Sequence, residues 1–550
     1  MDLQPNVAAS VYLATTFLCI AIALAIPYQF FQILRYTRRQ KNPQLIDLPT
    51  VSREKITPET SNDYSMSTAF NVAVPEVKKI RWGLMVIAHK IWNYGIFVFG
   101  FGDQSVGEIA IFLAYIVLNL TFVHISFQSG ESINTDFADR TAYLALANSA
   151  FVFPLATRNS VFLTLLGVPF ERVIKYHRWV GRMIFFMIAF HGASHIQDQY
   201  KSTNSVYDTL FGDKKYFNGF LAFMSLVVIM LTSHSVVRRF AFEVFYWSHF
   251  IFIFFVIFGI LHTEWFTSFV LFGIILYIID RFVRAFLSFR ARKVISIDAI
   301  QTGVTRVVFE SNFFYEAGQY VFVSFPNLGS PLLSFLRWHP VSLSSAPSAS
   351  DGSDQATFHL KCAGGFTKSL YERAQNLNVS LKLKVDGPYG KTSIDFMEYQ
   401  TVLLVGGGIG ITPIISLLRD LVDRQITGFP LVTQSIYFVW VIPDLDSYAW
   451  FSSEFAELRN RASASLAATK YLLDIKIFLT KSETTPSSIF FKGRPDFEHL
   501  LHKIKDFHGS GDIAVGACGP TPMIREIRKA AVNRSDAMGL IKVHTETFEL

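Results

Sequence analysis

The sequence has few cysteines and few charged residues. Only three cysteines occur among 550 residues, and Cys19, Cys362 and Cys518 lie far apart without a CxxC pair. Neither a disulfide framework nor a structural zinc site is therefore encoded, so any redox chemistry needs a bound cofactor. Charged residues make up 17% of the chain and apolar residues 51%, which is too apolar for an ordinary soluble protein. The net charge of +7 comes with basic residues that cluster beside apolar runs, so nucleic-acid binding is not expected.

The apolar residues concentrate in the first 287 positions. They form runs of roughly 17 to 25 residues, the length that a helix needs to cross a bilayer. The predicted spans are 9–34, 107–126, 140–157, 177–196, 218–236, 245–263 and 266–287. An odd number of spans puts the termini on opposite sides of the membrane.

Basic loops predict the orientation of these spans. The loops at 35–41, 172–182, 238–239 and 281–293 carry arginine and lysine, so they and the C-terminal half should face the cytosol. Residues 83–101 are apolar too, but a span there would reverse every later loop, so we expect an interfacial segment or one packed against the bundle. The first run is expected to be a retained anchor, followed by a polar cytosolic linker at 42–78.

The pattern changes after the last span. From residue 294, short β-rich runs such as Thr305 to Phe309 are punctuated by glycine and proline, which predicts a small barrel. After about residue 396, strands alternate with helices, as Thr401 to Val405 followed by Pro413 to Leu421 illustrate. This alternation is typical of a parallel α/β nucleotide-binding domain.

Two of the predicted spans each carry two histidines. His177 and His191 are fourteen residues apart, and His249 and His262 are thirteen apart. A single span lies between the two helices, so they run parallel and equivalent histidines lie at similar depths. At about 1.5 Å of rise per residue, the two histidines of one helix are roughly 20 Å apart along its axis. The spacing predicts two bis-histidine haem sites stacked across the bilayer, suited to electron transfer.

The thirteen-residue spacing predicts a distorted helix. Thirteen residues leave an ideal helix well over a third of a turn from the starting face, so we expect a π-bulge or local bend near Gly259. The alternative is that all four histidines are hydrogen-bonded packing residues. His124 and His234 have no matching partner, and we interpret them in that way.

The residues around the histidines resemble the ferric reductase and NADPH oxidase superfamily. The resemblance is carried by His177-Arg-Trp-Val-Gly-Arg182, His191, Arg239 to Glu243, His249, His262, Asp139-Arg140 and Arg158-Asn159, and it continues through the C-terminal half. It implies a multi-domain protein in which an α-helical transmembrane haem bundle precedes a ferredoxin-reductase-like module. The implied domains are a six-helix transmembrane haem domain at 106–287, an FAD-binding β-barrel at 288–395 and an NAD(P)-binding α/β domain at 396–550. Residues 1–105, the expected anchor, linker and interfacial segment, lie outside the resemblance.

The resemblance also implies the haem ligands. His177 with His249 would hold the inner haem b, and His191 with His262 the outer one. Arg140 lies near the outer end of its span and could pair with a haem propionate or an incoming anion. His195 lies one turn beyond His191, near the exit side.

Two segments resemble the flavin site of the ferredoxin reductase class. In the motif formed here by His339, Pro340, Val341 and Ser342, a hydroxyl at the fourth position bonds the flavin near N5, which assigns that role to Ser342. Lys361 supplies a cation, and a glycine-rich stretch supplies unhindered amides, for the FAD pyrophosphate. The predicted contacts of that stretch are Gly365, Phe366 and Thr367.

A further set of residues predicts an NAD(P) site. A glycine cluster follows a strand and opens a helix, with Thr412 and Pro413 as the expected N-cap and first helical residue. The segment Cys518 to Pro520 resembles the family's segment near the nicotinamide, and Arg494 lies where the adenosine phosphate would bind. Phe548 resembles the aromatic residue that covers the flavin. The predicted contacts are Gly406, Gly407, Gly408, Gly410, Thr412, Arg494, Cys518, Gly519 and Pro520, and Cys518 and Phe548 are the expected catalytic residues.

The expected reaction is hydride transfer from NAD(P)H to FAD, followed by single-electron steps through two haems to an acceptor outside. Arg494 favours NADPH, whereas Pro443-Asp444, where the family often has arginine, leaves NADH open. The acceptor is expected to be a ferric or cupric chelate, as in fungal metalloreductases, with superoxide production from O2 as the alternative. A non-enzymatic haem protein with a regulatory C-terminal half is a third possibility. We expect the plasma membrane, with an endomembrane as the alternative, and the sequence specifies no protein subunits.

Overall fold

The computed structural model describes residues 11–16, 19, 20, 23, 86–91, 93–98, 102–125, 133–159, 170–328, 337–347, 354–376, 381–427, 431–466, 472–482, 488–509 and 511–546. Most of the first predicted span, the predicted linker and Phe548 lie outside these residues. The chain separates into a helical unit, residues 1–33 and 97–290, and a C-terminal unit, residues 34–96 and 291–549.

Helices make up nearly all of the described helical unit. They are Val106–Ile125 (α1), Ile133–Val152 (α2), Phe170–Thr203 (α3), Val206–Phe211 (α4), Lys214–Thr232 (α5), Ser235–Phe240 (α6), Phe242–His249 (α7), Phe252–His262 (α8) and Glu264–Leu287 (α9). Residues 86–91 are helical, and Gly95–Val98 (β1) and Gly102–Ser105 (β2) are short strands. The predicted interfacial segment at 83–101 therefore contains no membrane-length helix in its described residues, and its interfacial location stays a prediction.

Three helical stretches of the described chain are long and apolar enough to cross a membrane. They are α5, α7 with α8, and α9. Val106–Phe122 of α1 is apolar but shorter. Helix α3 contains the predicted span at 177–196, and α2 contains the predicted span at 140–157 only as far as Val152; both helices carry more polar residues. Large apolar side chains lie exposed on the spanning helices, such as Leu231 at 66% and Phe272 at 61%, as expected of a surface in lipid.

Several polar side chains buried in the helical unit form hydrogen bonds to other parts of the unit. The Tyr115 hydroxyl donates to Asn148 Oδ1 at 2.6 Å, and Asn148 Nδ2 donates to Asn119 Oδ1 at 2.8 Å, which joins α1 to α2. On α9, Asp280 Oδ1 accepts the amides of Arg158 and Asn159 at 3.2 and 2.8 Å. Because an unpaired polar group in hydrocarbon is costly, these bonds hold the order of the helices.

The first part of the C-terminal unit is an antiparallel barrel. Its strands are Val294–Ile300 (β3), Val304–Glu310 (β4), Tyr320–Ser324 (β5), His339–Ser342 (β6), Gln355–Lys361 (β7) and Lys384–Tyr389 (β8), with the helix Gly365–Ala374 (α10) after β7. They form two three-stranded sheets, ordered β3-β4-β7 and β6-β5-β8. Bridges between Arg292 and Leu383 and between Leu343 and Phe358 join the sheets at both edges, so the barrel is closed.

The second part is a parallel sheet between helices. Its elements are Thr401–Gly407 (β9), Ile411–Ile426 (α11), Ser435–Ile442 (β10), Ser452–Leu466 (α12), Leu472–Leu479 (β11), Phe490–Lys492 (β12), Phe497–His508 (α13), Ile513–Cys518 (β13), Thr521–Arg534 (α14) and Ile541–Glu546 (β14). The strand order is β12-β11-β10-β9-β13-β14. Every residue of β9 and β13 is buried, because helices cover both faces of the sheet.

A buried polar contact joins the barrel to the parallel sheet domain. Glu454 Oε1, on α12, lies 3.2 Å from Arg306 Nε and 3.5 Å from His359 Nε2. The His359 ring packs on Phe451, with centroids 4.2 Å apart. Arg306 and His359 belong to β4 and β7, so this contact fixes the barrel against α12.

Candidate functional site

Four histidines face each other in two pairs inside the helical unit. The ring centroids of His177 and His249 are 6.2 Å apart, and those of His191 and His262 are 6.1 Å apart. The first member of each pair lies on α3, and the second ends α7 or α8. The structure brings together the same pairs that the sequence spacing groups, and their role as haem ligands stays a prediction.

The separation within each pair fits an iron porphyrin. An imidazole nitrogen lies about 2 Å from a metal ion that it ligates, and the ring adds about 1 Å more, so two rings on opposite faces of one iron have centroids roughly 6 Å apart. The measured 6.2 and 6.1 Å agree with this value. The sequence has no CxxCH segment for covalent attachment, so a non-covalently bound haem, such as the predicted haem b, fits these pairs.

Hydrogen bonds prepare these rings to ligate through Nε2. In His177, His191 and His262, Nδ1 lies 2.8 Å from a backbone carbonyl oxygen. The acceptors are the carbonyl oxygens of Val152, Ala138 and Lys215. A carbonyl only accepts, so Nδ1 carries the proton and Nε2 keeps a lone pair for a metal. His249 Nδ1 lies 3.3 Å from the Ser233 hydroxyl, which leaves its Nε2 free of that bond.

The helix that carries His249 and His262 is overwound between them. It breaks at Phe250 and Ile251, and around the break four amides bond the carbonyl three residues earlier, as in a 3₁₀-helix. These are the amides of Phe250, Ile251, Ile253 and Phe254. A 3₁₀ turn has about 3.0 residues instead of 3.6, so the added rotation returns His262 to the face of His249.

The expected distortion is therefore present, but it lies at Phe250 and Ile251 rather than near Gly259, and it is a 3₁₀ turn rather than a π-bulge. Gly259 lies within regular α8, where an added Cβ would come 2.9 Å from the Phe266 ring. Its small size thus serves close packing with α9. A π-bulge would have reduced the rotation per residue, whereas a thirteen-residue spacing needs more rotation.

Glycines shape the space around the histidines. A Cβ built on Gly181 or Gly192 of α3 would meet no atom of the described residues within 4 Å. Gly181 follows His177 by one helical turn and so opens the same face. A Cβ on Gly219 of α5 would lie 2.9 Å from the His262 ring, so this glycine lets α5 support that ring closely. The open space beside His177 leaves room for a predicted haem. The close support of the His262 ring holds a predicted ligand of the other haem in place.

Three polar residues lie near the pair formed by His191 and His262, which is the predicted outer pair. Arg140 is only 2% exposed, and it lies two residues after Ala138, whose carbonyl holds His191. His195 follows His191 by one turn of α3, and their ring centroids are 4.6 Å apart. Asp139 Oδ1 lies 3.2 Å from His195 Nε2. Arg140 and His195 were predicted from the sequence, but a role for Asp139 was not; its signal was its position beside Arg140.

The two predicted flavin segments meet in the barrel. His339, at the start of β6, stacks on Phe366 in the first turn of α10, with centroids 3.6 Å apart and planes inclined by 13°. Burial, with a smaller effect of Arg337, lowers the pKa of His339 to about 4, so the ring is neutral at pH 7. Ser342 ends β6 opposite Tyr320. Pro340 is half-buried and Val341 is buried within the barrel core.

The loop before α10 has the form of a phosphate site. Added Cβ atoms on Gly364 or Gly365 would meet no described atom within 4 Å, so backbone amides at this helix start are approachable. Thr367 Oγ1 accepts the amides of Ala363 and Gly364 at 2.9 and 3.0 Å and holds the loop. Lys361 Nζ lies 4.7 Å from the Trp450 ring centroid. These residues fit an FAD pyrophosphate, and the role of Lys361 toward it stays a prediction.

The glycine cluster and the Cys518 segment meet at the carboxyl edge of the parallel sheet. Gly406 of β9 and Cys518 of β13 are register partners. Chain order reverses between β9 and β13, since β10 to β12 lie on one side of β9 and β13 and β14 on the other. A crevice at such a switch point is where open α/β sheets bind nucleotides.

Close packing at this edge requires glycine. A Cβ on Gly407 would lie 2.8 Å from Pro520 Cδ, and one on Gly410 would lie 2.8 Å from the Cys518 carbonyl oxygen. A Cβ on Gly519 would lie 2.9 Å from Gly407 Cα. Gly408 adopts φ of 55°, a conformation that favours glycine. The loops after β9 and β13 can therefore approach each other only with glycine at these positions.

Thr412 does not cap the helix as expected. A 3₁₀ turn over Gly408–Gly410 continues directly into α11, which begins at Ile411 with Gly410 as its N-cap. Thr412 lies in the first turn, and its hydroxyl donates to the Ile409 carbonyl at 2.7 Å. Its contact with NAD(P) stays a prediction.

Trp440 is a part of this edge that sequence analysis missed. Its Nε1 donates to the Gly408 carbonyl at 3.0 Å, and its backbone is in register with Gly406. The signal was a tryptophan at the end of a buried strand. Arg494 is exposed just after β12, and Gly493 before it has φ of 86°.

Cys518 is 1% exposed, and its environment keeps the thiol protonated. Burial, followed by the charge of Glu546, raises the pKa of Cys518 above its usual range. Glu546 is the register partner of Cys518, and its Oε1 lies 2.8 Å from His544 Nε2. A buried thiol and a carboxylate in contact with His544 therefore lie side by side at the carboxyl edge of the sheet.

Known proteins match both units of the chain. Family models match in chain order: a ferric reductase like transmembrane component at 141–260, an FAD-binding domain at 289–393 and a ferric reductase NAD binding domain at 399–489 and 475–532. The fold and these matches define a class, a transmembrane ferric-reductase domain followed by a ferredoxin-reductase-like FAD and NAD module. The chain belongs to the ferric reductase and NADPH oxidase superfamily.

Individual relatives share limited identity. Ferric reduction oxidase 7, chloroplastic, of Arabidopsis thaliana is 29% identical over 363 residues, which are 62% of this chain and 47% of that protein. Dual oxidase 1 of Rattus norvegicus is 25% identical over 429 residues, 67% of this chain and 27% of that protein. The matched region thus spans less than half the length of each. The solved FAD/NAD binding domain of nitric oxide dioxygenase from Vibrio cholerae O1 biovar El Tor aligns with 47% of this chain and 99% of its own, at 18% identity and a TM-score of 0.35.

Proposed function

We propose that the protein transfers electrons from NAD(P)H through FAD and two haems b to a ferric or cupric chelate on the other side of a membrane. The observation that carries this proposal is the pair of facing histidine couples with centroids 6.2 and 6.1 Å apart. When bound, FAD divides a hydride pair into single electrons, and the haem irons relay them.

The residues of the chain bind and orient these groups. Carbonyl oxygens fix Nδ1 of three histidines and so direct Nε2 toward the iron. The open amides beside Gly364 and Gly365 bind the FAD pyrophosphate, and Ser342 bonds the flavin near N5. The glycines after β9 admit the NAD(P)H pyrophosphate, while Cys518 borders the nicotinamide. Phe548, which lies outside the described residues, would cover the flavin in the absence of the nicotinamide, as the family resemblance implies.

The preference for a metal acceptor rests on the outer end of the helical unit. Asp139 and His195 offer oxygen and imidazole donors, which suit copper and iron ions. Relatives named ferric reduction oxidases agree with this choice. Production of superoxide from O2 is the second candidate, since Arg140 is a buried cation near the outer pair and other relatives are named dual oxidases.

One comparison tests the acceptor. Membranes that contain the protein should reduce Fe(III) and Cu(II) chelates with NADPH faster than they release superoxide. Superoxide as the main product, with little chelate reduction, would reverse the order of the two candidates. If the purified protein bound FAD but neither NADPH nor NADH bleached the flavin, both candidate functions would be contradicted.

The sidedness and the donor belong to the same proposal. Basic loops support a cytosolic location of the C-terminal unit. We propose the plasma membrane as the membrane that holds the helical unit. Arg494, exposed after β12, supports NADPH as the donor through a charge-assisted bond to the 2′-phosphate. Arg494→Ala should raise the KM for NADPH by about tenfold or more and leave that for NADH unchanged. Equal effects on both nucleotides would remove this role of Arg494.

A further inference from the structure

A carboxylate and an imidazole stand together at the outer end of the helical unit. Asp139 lies on α2 and His195 on α3, and Oδ1 of the first is 3.2 Å from Nε2 of the second. The sequence places them 56 residues apart, so the contact comes from the packing of the two helices. Their side chains are 52% and 25% exposed, so the described residues do not enclose them.

The distance between the two donor atoms suits chelation. Ligand atoms about 2.1 Å from one metal ion, at right-angle or tetrahedral positions, lie roughly 3.0 to 3.4 Å apart. Asp139 Oδ1 and His195 Nε2 are 3.2 Å apart, so an ion could bind both without a rearrangement of the helices. Carboxylate and imidazole together suit Cu(II) and Fe(III), two ions that accept one electron.

His191 is the third member of this cluster, but it is already engaged. Asp139, His191 and His195 offer ligand atoms within 4.8 Å of one another. Nδ1 of His191 donates to the Ala138 carbonyl, and its ring faces His262 in the outer pair. Asp139 and His195 therefore remain as protein ligands. Two ligands hold an ion weakly and leave positions for water or a chelator, as an exchangeable substrate requires.

The location favours electron transfer to such an ion. The ring centroids of His191 and His195 are 4.6 Å apart. Residue 138 supports His191 through its carbonyl, and residue 139 contacts His195 through its carboxylate. A single turn of α2 thus holds both the outer histidine and the donor pair.

We propose that Asp139 and His195 form a two-ligand docking site for the metal ion that accepts the electron, Cu(II) or Fe(III) from a labile chelate. This inference rests on the proposed function, because it names the substrate contact of that reaction. On binding, the ion replaces the proton that lies between His195 Nε2 and the Asp139 carboxylate. That proton moves to His195 Nδ1 or to water. Each ion then gains one electron, so one NAD(P)H yields NAD(P)⁺, one proton and two Cu(I) or two Fe(II).

The test separates docking from electron delivery. Purified full-length protein with its cofactors is assayed with Cu(II) on a weak chelator and with ferricyanide, whose filled coordination sphere accepts an electron without a protein ligand. Asp139→Asn and His195→Asn should each raise the KM for Cu(II) by about tenfold or more. Ferricyanide reduction and the haem spectra should stay at the wild-type level. Asp198→Asn, which removes another carboxylate of α3, is the matched control and should change neither KM.

A redox-inert ion supplies a second measurement. Zn(II) should bind the oxidised wild-type protein in calorimetry and compete with Cu(II), and both effects should weaken in the two variants. An unchanged KM for Cu(II), unchanged Zn(II) binding, or loss of ferricyanide reduction in the variants would each overturn the docking site. Failure of the wild-type protein to reduce ferricyanide or any metal chelate would instead overturn the proposed function.

Discussion

Cys518 illustrates how one side chain borders the proposed reaction. It is a buried, protonated thiol beside Gly406 and Glu546, at the edge where the nicotinamide is proposed to bind. Cys518→Ala should lower the rate of FAD reduction by NAD(P)H by about tenfold or more, because the nicotinamide loses a positioning contact. Cys518→Ser should lower the rate of FAD reduction less than Cys518→Ala does.

Stopped-flow bleaching of the flavin measures this effect. The FAD content of each variant is the control, since the thiol is not proposed to hold the flavin. Because burial raises the pKa of Cys518, the rate should also show no thiolate-linked change between pH 7 and 9, a window about its usual pKa. Wild-type rates in Cys518→Ala would exclude the thiol from the reaction.

His359 makes the barrel sensitive to acid. Burial, and then the charges of Arg306 and Arg419, lower the pKa of His359 to about 3, whereas an unfolded histidine titrates near 6.5. Arg306 engages the same oxygen of Glu454, so this carboxylate does not favour the charged ring. The unfolded chain binds more protons between these values. Stability from neutral His359 is thus complete above about pH 6.5 and is lost as the pH falls toward 3.

A thermal measurement checks this sign. The temperature at which the protein releases fluorescent FAD should fall between pH 7 and pH 5, and His359→Gln should reduce that fall. His502→Gln, at an exposed residue of α13, should show the same fall in release temperature between pH 7 and pH 5 as the wild type. A variant slope equal to that of the wild type would show that His359 does not cause the acid effect.

At the scale of elements, the break between α7 and α8 compensates for a short spacing. An insertion of one alanine between Phe250 and Ile251 gives fourteen residues between the histidines, the same spacing as on α3. Fourteen residues return an α-helix to within about 40° of the starting face without overwinding. The single insertion should therefore keep both haems.

An insertion of three alanines is the contrasting change. It places His262 on another face, and the outer haem should be lost while the inner one stays. Reduced-minus-oxidised spectra and the iron content of both purified variants measure this. Loss of both haems from the single insertion, with the protein still folded, would show that the break has another role.

At the scale of the whole molecule, the two histidine pairs imply an order of electron transfer. His191→Ala should keep reduction of the inner haem by NADPH but lose most reduction of an external acceptor. His177→Ala should lose reduction of the outer haem and of the external acceptor, because we propose that the inner pair receives the electron first. His234→Ala, at a histidine outside the pairs, is the control.

Spectra under NADPH, together with ferricyanide reduction, measure this order. Wild-type protein should contain two haems b and one FAD per chain. External reduction at the wild-type level in either ligand variant would contradict a series arrangement.

Local patterns determined much of the fold before any tertiary contact was considered. Apolar runs, which reflect the thickness of the bilayer, located α5 and α9 within a few residues. Alternation of strands and helices indicated the parallel sheet, and the order of the motifs indicated a ferredoxin-reductase-like module. Similar histidine spacings on two parallel helices, fourteen and thirteen residues, were enough to group the pairs, because helix rise is nearly constant.

Tertiary structure alone decided how distant side chains meet. The contact of Asp139 with His195 depends on how α2 and α3 rotate against each other, and periodicity within either helix does not contain that angle. The stacking of His339 on Phe366 depends in the same way on closure of the barrel.

The local errors have the same origin. The sequence alone established that the helix between His249 and His262 must deviate from ideal geometry. The sense and place of the deviation follow from the fixed positions of both pair partners, which require added rotation at Phe250 and Ile251. Likewise, α11 begins at Ile411 rather than after a Thr412 cap, because close packing against the Cys518 loop sets the turn before it.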